Sequence, residues 1–339
     1  MAVVIAFASC NKNTYVNAPV PEEAGTSTVS MALASRADGT KATTTASNDE
    51  KRLASLRVFI FDKNGAFEKE AEVVIGGDNM SATASATISN GRKSFRAIAN
   101  TGSGISTGGL TLAAFDAMVS DLSDNARNAL VMYGAASQNV LTDVSVPMSL
   151  ERLASKVCLT RVNRQFSDAD AGEVSLKVTG VYISNVVDKI SYNKTAVQSG
   201  SGTLGWYNRQ GAKDAAVASL TQRSVDFTVA QGGNWTGDEA MYIYSNDSAL
   251  ATEGGSWSPR KSRLVIETTL GGTDRHYYYT VTLPQIPANQ VANVEVTLRG
   301  LPSLNPDTPS DPVSQIDMAL TANISVSDWG DVQTVSGII

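Results

Sequence analysis

Along most of the chain, apolar and polar residues alternate in short runs separated by Gly, Asn, Asp, Ser and Thr. The first such run is Thr28–Ser35, with Val29, Met31 and Leu33 on one face. A period of two is the signal of a half-buried strand. Arg36 ends it, and Ala37–Glu50 (ADGTKATTTASNDE) reads as a long polar loop. Leu56, Val58 and Ile60 alternate with Arg57, Phe59 and Phe61, so the next strand is apolar on nearly both faces. Asp62–Lys63–Asn64–Gly65 has the composition of a hairpin turn. Further strands are expected at Phe67–Ile75, Ala82–Ile88 and Ser94–Ala99. Leu112, Phe115, Val119 and Leu122 then fall at helical spacing behind Thr111, a good N-cap residue. They predict the one convincing helix, packed on a sheet. A polar strand pair ends near Met148–Leu150.

The second half repeats the strand signal at Ala154–Val162, Val174–Ile183, Val225–Val229, Met241–Tyr244, Arg263–Thr269, Tyr277–Leu283, Val291–Leu298 and Ala319–Val326. Regular short strands with little helix predict an all-β chain of two β-sandwich domains. The division is expected near Arg152, giving 29–152 and 153–339, with one short helix in the N-terminal domain. Leu304–Asp311 holds Pro306 and Pro309, with Pro312 just beyond, and reads as a stiff loop before the last strands.

Composition narrows the function. The 339 residues carry a formal net charge of −6, so no basic field draws nucleic acid. The single histidine, His276, excludes a multi-histidine metal site and a histidine triad built from more than this residue. It is expected at a strand edge in a structural role. The glycine-rich run Gly102–Gly109 includes a Gly-x-Ser-x-Gly string at Gly104–Gly108, but it reads as a loop and lacks the Gly-Lys-Ser/Thr of a phosphate-binding loop, so neither an enzyme nor a cofactor is expected. Of the two cysteines, Cys158 lies in the apolar run Val157–Leu159 and reads as a buried thiol.

Cys10 is different. It follows the apolar stretch MAVVIAFA and Ser9, and precedes the polar Asn11–Thr14. That arrangement resembles a bacterial lipoprotein signal, in which the thiol is the nucleophile that becomes a thioether to diacylglycerol. Residues 1–10 are therefore expected to be a signal remnant with Cys10 acylated, palmitate included. Residues 11–28, polar with Pro19, Pro21 and Gly25, are expected to be a tether. The apolar start is too short to span a bilayer.

Four local patterns, in this order, resemble the FimA-like major fimbrial subunits, the type V pilins of Bacteroidales. They are the lipoprotein cysteine with its tether; the strand ending at Ala34–Ser35–Arg36 with a loop and then Leu53–Phe61; the run Gly91–Gly102 ending in Ala99–Asn100–Thr101–Gly102; and the proline-rich loop followed by a strand, Val326–Ser327–Asp328–Trp329 and a short tail. The resemblance implies two transthyretin-like β-sandwiches, export as an outer-membrane lipoprotein, proteolytic maturation and assembly into a cell-surface fimbrium supporting adhesion. Its implied partners are other copies of the chain and related pilins, an Arg-specific protease, the outer membrane through lipid, and surface ligands.

The residues suit strand exchange. Val29, Met31 and Leu33 would lie on a strand displaced after cleavage at Arg36; Lys51–Arg52 is a competing cut site. The donor would be the tail Gly330–Ile339, through Val332, Val335, Ile338 and Ile339. A minor tip or anchor pilin and a carbohydrate-binding surface lipoprotein are the alternatives. The latter would use Trp206–Tyr207, Trp235 or Trp257 as sugar platforms. Asp247–Ser248–Ala249 resembles a Bacteroidetes O-glycosylation motif; Asn79–Met80–Ser81 and Asn323–Ile324–Ser325 are sequons.

Overall fold

The computed structural model of the chain describes residues 25–35, 46–101, 104–194, 205–248, 257, 259–306 and 320–329. Twenty strands run in chain order: β1 Thr26–Ser35, β2 Leu56–Phe61, β3 Phe67–Glu70, β4 Glu72–Ile75, β5 Ser81–Ser89, β6 Gly91–Ala99, β7 Val119–Asp121, β8 Met132–Val140, β9 Val144–Arg152, β10 Ser155–Arg164, β11 Leu176–Ser184, β12 Val186–Val187, β13 Lys189–Ser191, β14 Trp206–Tyr207, β15 Gln222–Thr228, β16 Asn234–Ile243, β17 Arg263–Leu270, β18 His276–Thr282, β19 Gln290–Leu298 and β20 Leu320–Asp328. Four short α-helical turns accompany them, α1 Asn48–Lys51, α2 Leu112–Asp116, α3 Ala169–Glu173 and α4 Ala218–Thr221, with 3-10 turns at Leu122–Asp124, Arg209–Gly211 and Ala215–Val217.

Eight strands of the N-terminal half are hydrogen-bonded in the order β3-β2-β6-β8-β9-β1-β5-β4. β8 and β9 pair only at Met132–Arg152 and Tyr133–Glu151, so the sheet folds there into two walls. At the other end β3 runs into β4 with a break at Ala71, whose N–H donates to the Val58 carbonyl at 2.9 Å. The result is a flattened barrel, closed on one side by a short ladder and on the other by a corner in the chain. The expected single strand Phe67–Ile75 is thus two, because it changes walls. Val58, Ile60, Phe95 and Ala97 of one wall share a core with Val29, Met31, Leu33, Ala82, Ala84, Ala86, Val146 and Met148 of the other.

The C-terminal half forms two four-stranded sheets, β16-β10-β19-β20 and β15-β11-β17-β18, with one core between them. Cys158 is fully buried on β10, and burial pushes its thiol pKa up. His276 opens the edge strand β18 and is half exposed, as expected. β9 ends at Arg152 and β10 begins at Ser155, so the passage between the two halves is two residues long.

Two expectations fail locally. The helix after Thr111 does start where expected, with the Thr111 hydroxyl accepting from the Ala114 N–H at 3.1 Å, but it stops at Asp116. Val119 lies instead on β7, which pairs with β13 across the junction, and the Leu122 N–H donates to the Asp188 carbonyl at 2.6 Å. Backbone partners some 70 residues away win over the local spacing. The loop expected over Ala37–Glu50 closes in α1. There Ser47 and Glu50 form a reciprocal capping box, and Glu50 is buried.

Candidate functional site

β1 is the first described strand of the chain, yet it stands inside a wall rather than at its margin. It pairs antiparallel with β5 from Thr26–Ser89 to Ala34–Ser81, and parallel with β9 from Val29–Val144 to Ser35–Leu150. Val29, Met31 and Leu33 are at most 2% exposed, and the residues between them face solvent. Burying three such side chains contributes roughly 5–9 kcal/mol, an upper figure because unfolded chains already bury some surface. At its start the Ser27 hydroxyl donates to Asn90 Oδ1 at 2.7 Å and the Thr28 N–H to Asp143 Oδ1 at 2.7 Å. Neither neighbour is joined to β1 by a hairpin. Taking β1 away would leave β5 paired with β4 alone, and β9 cut off from its own wall, paired only through its two-residue contact with β8 of the other. Between them would lie two rows of unpaired ladder groups beside an apolar floor.

Chain beyond β1 is gathered by Asn100, the asparagine of the Ala-Asn-Thr-Gly run. Its backbone is left-handed (φ 61°). Asn100 Oδ1 accepts from the Ala54 and Ser55 N–H groups at 2.8 and 3.2 Å, and its Nδ2 donates to the Arg52 and Leu130 carbonyls at 2.8 Å each. The dibasic Lys51–Arg52 therefore sits in a capped turn whose backbone is engaged, with the Arg52 N–H donating to the Asp49 carbonyl.

Immediately beside this turn is a buried polar cluster that sequence reasoning missed. Glu50 Oε1 meets Lys156 Nζ at 3.0 Å and accepts from the Tyr242 hydroxyl at 2.6 Å; its Oε2 accepts from the Ser47 N–H at 2.7 Å. Burial alone would raise the Glu50 pKa, but the Lys156 ammonium, the Tyr242 hydroxyl and the Ser47 N–H outweigh it and hold the carboxyl below its ordinary range. Arg152, at the end of β9, donates from Nε to the Glu50 carbonyl (2.8 Å) and from Nη1 to Asn289 Oδ1 (3.1 Å) and the Trp329 carbonyl (3.3 Å). Its guanidinium lies 4.5 Å over the Trp329 ring, which also stacks on Tyr242 at 5.7 Å and 18°. Glu50, in a run of polar residues, gave no sequence signal of burial; the capping pattern Ser47-x-x-Glu50 was the available clue.

Trp329 closes β20, a strand of another kind. Among the described residues it pairs only with β19, and between Leu320 and Trp329 every residue is exposed or half-buried, Val326 being 41% exposed. Cys10, Arg36, Val332, Val335, Ile338 and Ile339 lie outside the described residues.

The aromatic platforms are occupied from within. Trp206 is buried on β14 and meets Trp257 edge-on. The Arg209 and Arg260 guanidiniums lie 5.4 and 4.8 Å over Trp257, and Trp235 stacks on Phe227 at 4.2 Å. Ser248 is 6% exposed, so its hydroxyl is withdrawn from a modifying enzyme in this fold. Among the described residues no acidic, histidine or cysteine group could hold a metal ion, and no helix is long and apolar enough to cross a membrane.

Residues 27–149 match the family model described as major fimbrial subunit protein (FimA). No curated protein sequence matches the chain. Several solved structures share its fold. A fimbrilin from Porphyromonas gingivalis is 14% identical with a TM-score of 0.63, over 93% of this chain and 100% of its own. A candidate cell adhesion protein from Bacteroides eggerthii is 21% identical (TM-score 0.63, 91% and 97% covered), and one from Parabacteroides distasonis is 18% identical (TM-score 0.63, 91% and 98% covered).

Proposed function

We propose that this chain, which matches the FimA major fimbrial subunit family over residues 27–149 and shares a fimbrilin's all-β fold, is a pilus subunit that polymerises by protease-triggered strand exchange. The reading divides it into domains 29–152 and 153–339, tethered through a lipidated Cys10 to the outer membrane until assembly. The observation that carries it is the position of β1: the first described strand, set in the middle of a wall, with an arginine directly after it and no hairpin to either neighbour.

Until Arg36 is cut, β1 is an intramolecular ligand of its groove, present at the millimolar effective concentration that a short linker confers. Cutting turns it into a separate peptide held by ladder bonds and three apolar side chains, which a neighbour's tail can replace pairwise. The tail has suitable residues. In an extended Gly330–Ile339, Val335 and Ile339 fall on one face with Gly337 between them, and Val332 and Ile338 fall on the other. The capped turn at Lys51–Arg52 disfavours cutting there, since a protease needs an extended, unpaired segment.

Incubating the purified chain with an Arg-specific protease and following size by light scattering and electron microscopy tests this. Polymers are expected only after a cut that leaves Ala37 as the new N-terminus. Arg36→Ala and deletion of Gly330–Ile339 should each abolish them while the monomer stays folded. Polymers from uncut or tailless protein at the normal rate would overturn the proposal.

A further inference from the structure

We infer that β9 and the Arg152–Trp329 contact form one tension-bearing element, joining the strand-accepting groove to the foot of the C-terminal tail through Trp329 rather than along the β19–β20 ladder. The inference rests on the strand-exchange reading: in a filament, pull enters a subunit through whatever strand occupies the β1 position and leaves through the chain after Trp329. β9 is one wall of that position, paired with β1 along Val144–Leu150. Two residues on, the same strand ends in Arg152, which grips Trp329 twice, by its carbonyl at 3.3 Å and by its ring at 4.5 Å.

The rest of the foot is tied to the same residue. The Trp329 N–H donates to the Asn289 carbonyl at 3.2 Å, while Asn289 Oδ1 accepts from both the backbone N–H (3.2 Å) and the Nη1 (3.1 Å) of Arg152. Upstream there is little to resist a pull. Among the described residues β20 pairs with β19 alone, and along it only Leu320 and the following Trp329 are buried. A force on the tail that bypassed Arg152 would open the β19–β20 ladder one bond at a time. Held at Arg152, the same force is passed along β9.

Direction matters to the strength of that path. Trp329 sits at the Arg152 end of β9, where the C-terminal sandwich begins at Ser155. A replacement strand must keep its own parent subunit clear of that sandwich, so its root belongs at the Val144 end. It then runs parallel to β9, as β1 does. Pull from its root and pull from Trp329 act in opposite senses along neighbouring strands. The ladder is loaded in shear, and its bonds share the force instead of breaking in turn.

The uncut full chain presents the same geometry, with β1 in place of the neighbour's strand. Single-molecule pulling between handles at its two ends therefore reads the clamp without any polymerisation. Arg152→Met keeps the apolar stem and removes the donors and the charge. It should at least halve the rupture force and bring an early extension step of roughly 30 Å, the length of Leu320–Trp329 drawn straight. Trp329→Phe, which keeps a buried ring, should fall between. The control is Arg164→Met: Arg164 is as buried and donates to the Val229, Ala171, Gly172 and Val174 carbonyls, but it lies away from this path. It should lower the melting temperature and leave the force unchanged. Equal weakening by Arg152→Met and Arg164→Met, or no early step in either Arg152→Met or Trp329→Phe, would overturn the inference. Should Arg152→Met fail to fold, Trp329→Phe decides alone. Failure of strand exchange would show separately, as polymers forming without cut or tail while the pulling result stands.

Discussion

β1 and β20 open and close the described chain, and they are built on opposite plans. β1 has a neighbour on each side and buries every second side chain; β20 has one neighbour among the described residues and is buried only at Leu320 and at Trp329 just after it. The strand proposed to leave is thus the firmly seated one, and the strand leading to the proposed donor is lightly held. The difference teaches that, under the proposed exchange, release of β1 would need two things at once, a cut that ends its tethering and a competitor of similar apolar content. The tail side needs only a firm foot.

Four measurements sharpen or break that contrast. Trp329→Ala removes the large fully buried ring at the foot of β20 and should cost about 3–5 kcal/mol in urea unfolding. A cost near zero would mean that β20 is not anchored there. Met31→Ala in the middle of β1 should cost about 2–5 kcal/mol, and the loss should ease displacement of the cut strand. An acid titration comes next. Because the Glu50 carboxyl titrates below its ordinary 4.5, its pairing with Lys156 stabilises fully above that pH and is lost as pH falls through the lowered value. Thermal melts from pH 7 to 3 should show this loss in the native chain. Glu50→Gln should flatten it, while keeping the carbonyl that Arg152 uses. Smallest of all, Val326→Thr on the exposed face of β20 should stay within about 0.5 kcal/mol of the native chain.

Where the pattern was local, the sequence was readable. The alternation of Val29, Met31 and Leu33 marked β1 and its inward face, and Thr111 marked the start of α2. The turn Asp62–Gly65 was legible for the same reason, Gly65 taking a left-handed backbone (φ 79°). What escaped is set by contacts distant in sequence. Val119 looks helical until its partner Ser191 is known, and nothing near Glu50 announces Lys156 or Tyr242. The change of wall at Ala71 is a corner that alternation alone cannot reveal. The inward face of β1 was therefore read correctly, whereas the cluster that grips Trp329 was not.

The pairing of β1 also bears on the order in which the molecule folds. Met31 lies opposite Ala84 and Val146, 53 and 115 residues further along. The β2–β3 and β4–β5 hairpins, by contrast, close over a few residues each. Contacts that enclose long loops carry the larger entropic cost and form late. Although β1 is made before its partners, it is then expected to dock late, onto walls whose local hairpins have already closed. If the proposed exchange holds, the first competition for the β1 groove takes place during folding, where the chain's own strand has the advantage of being already attached.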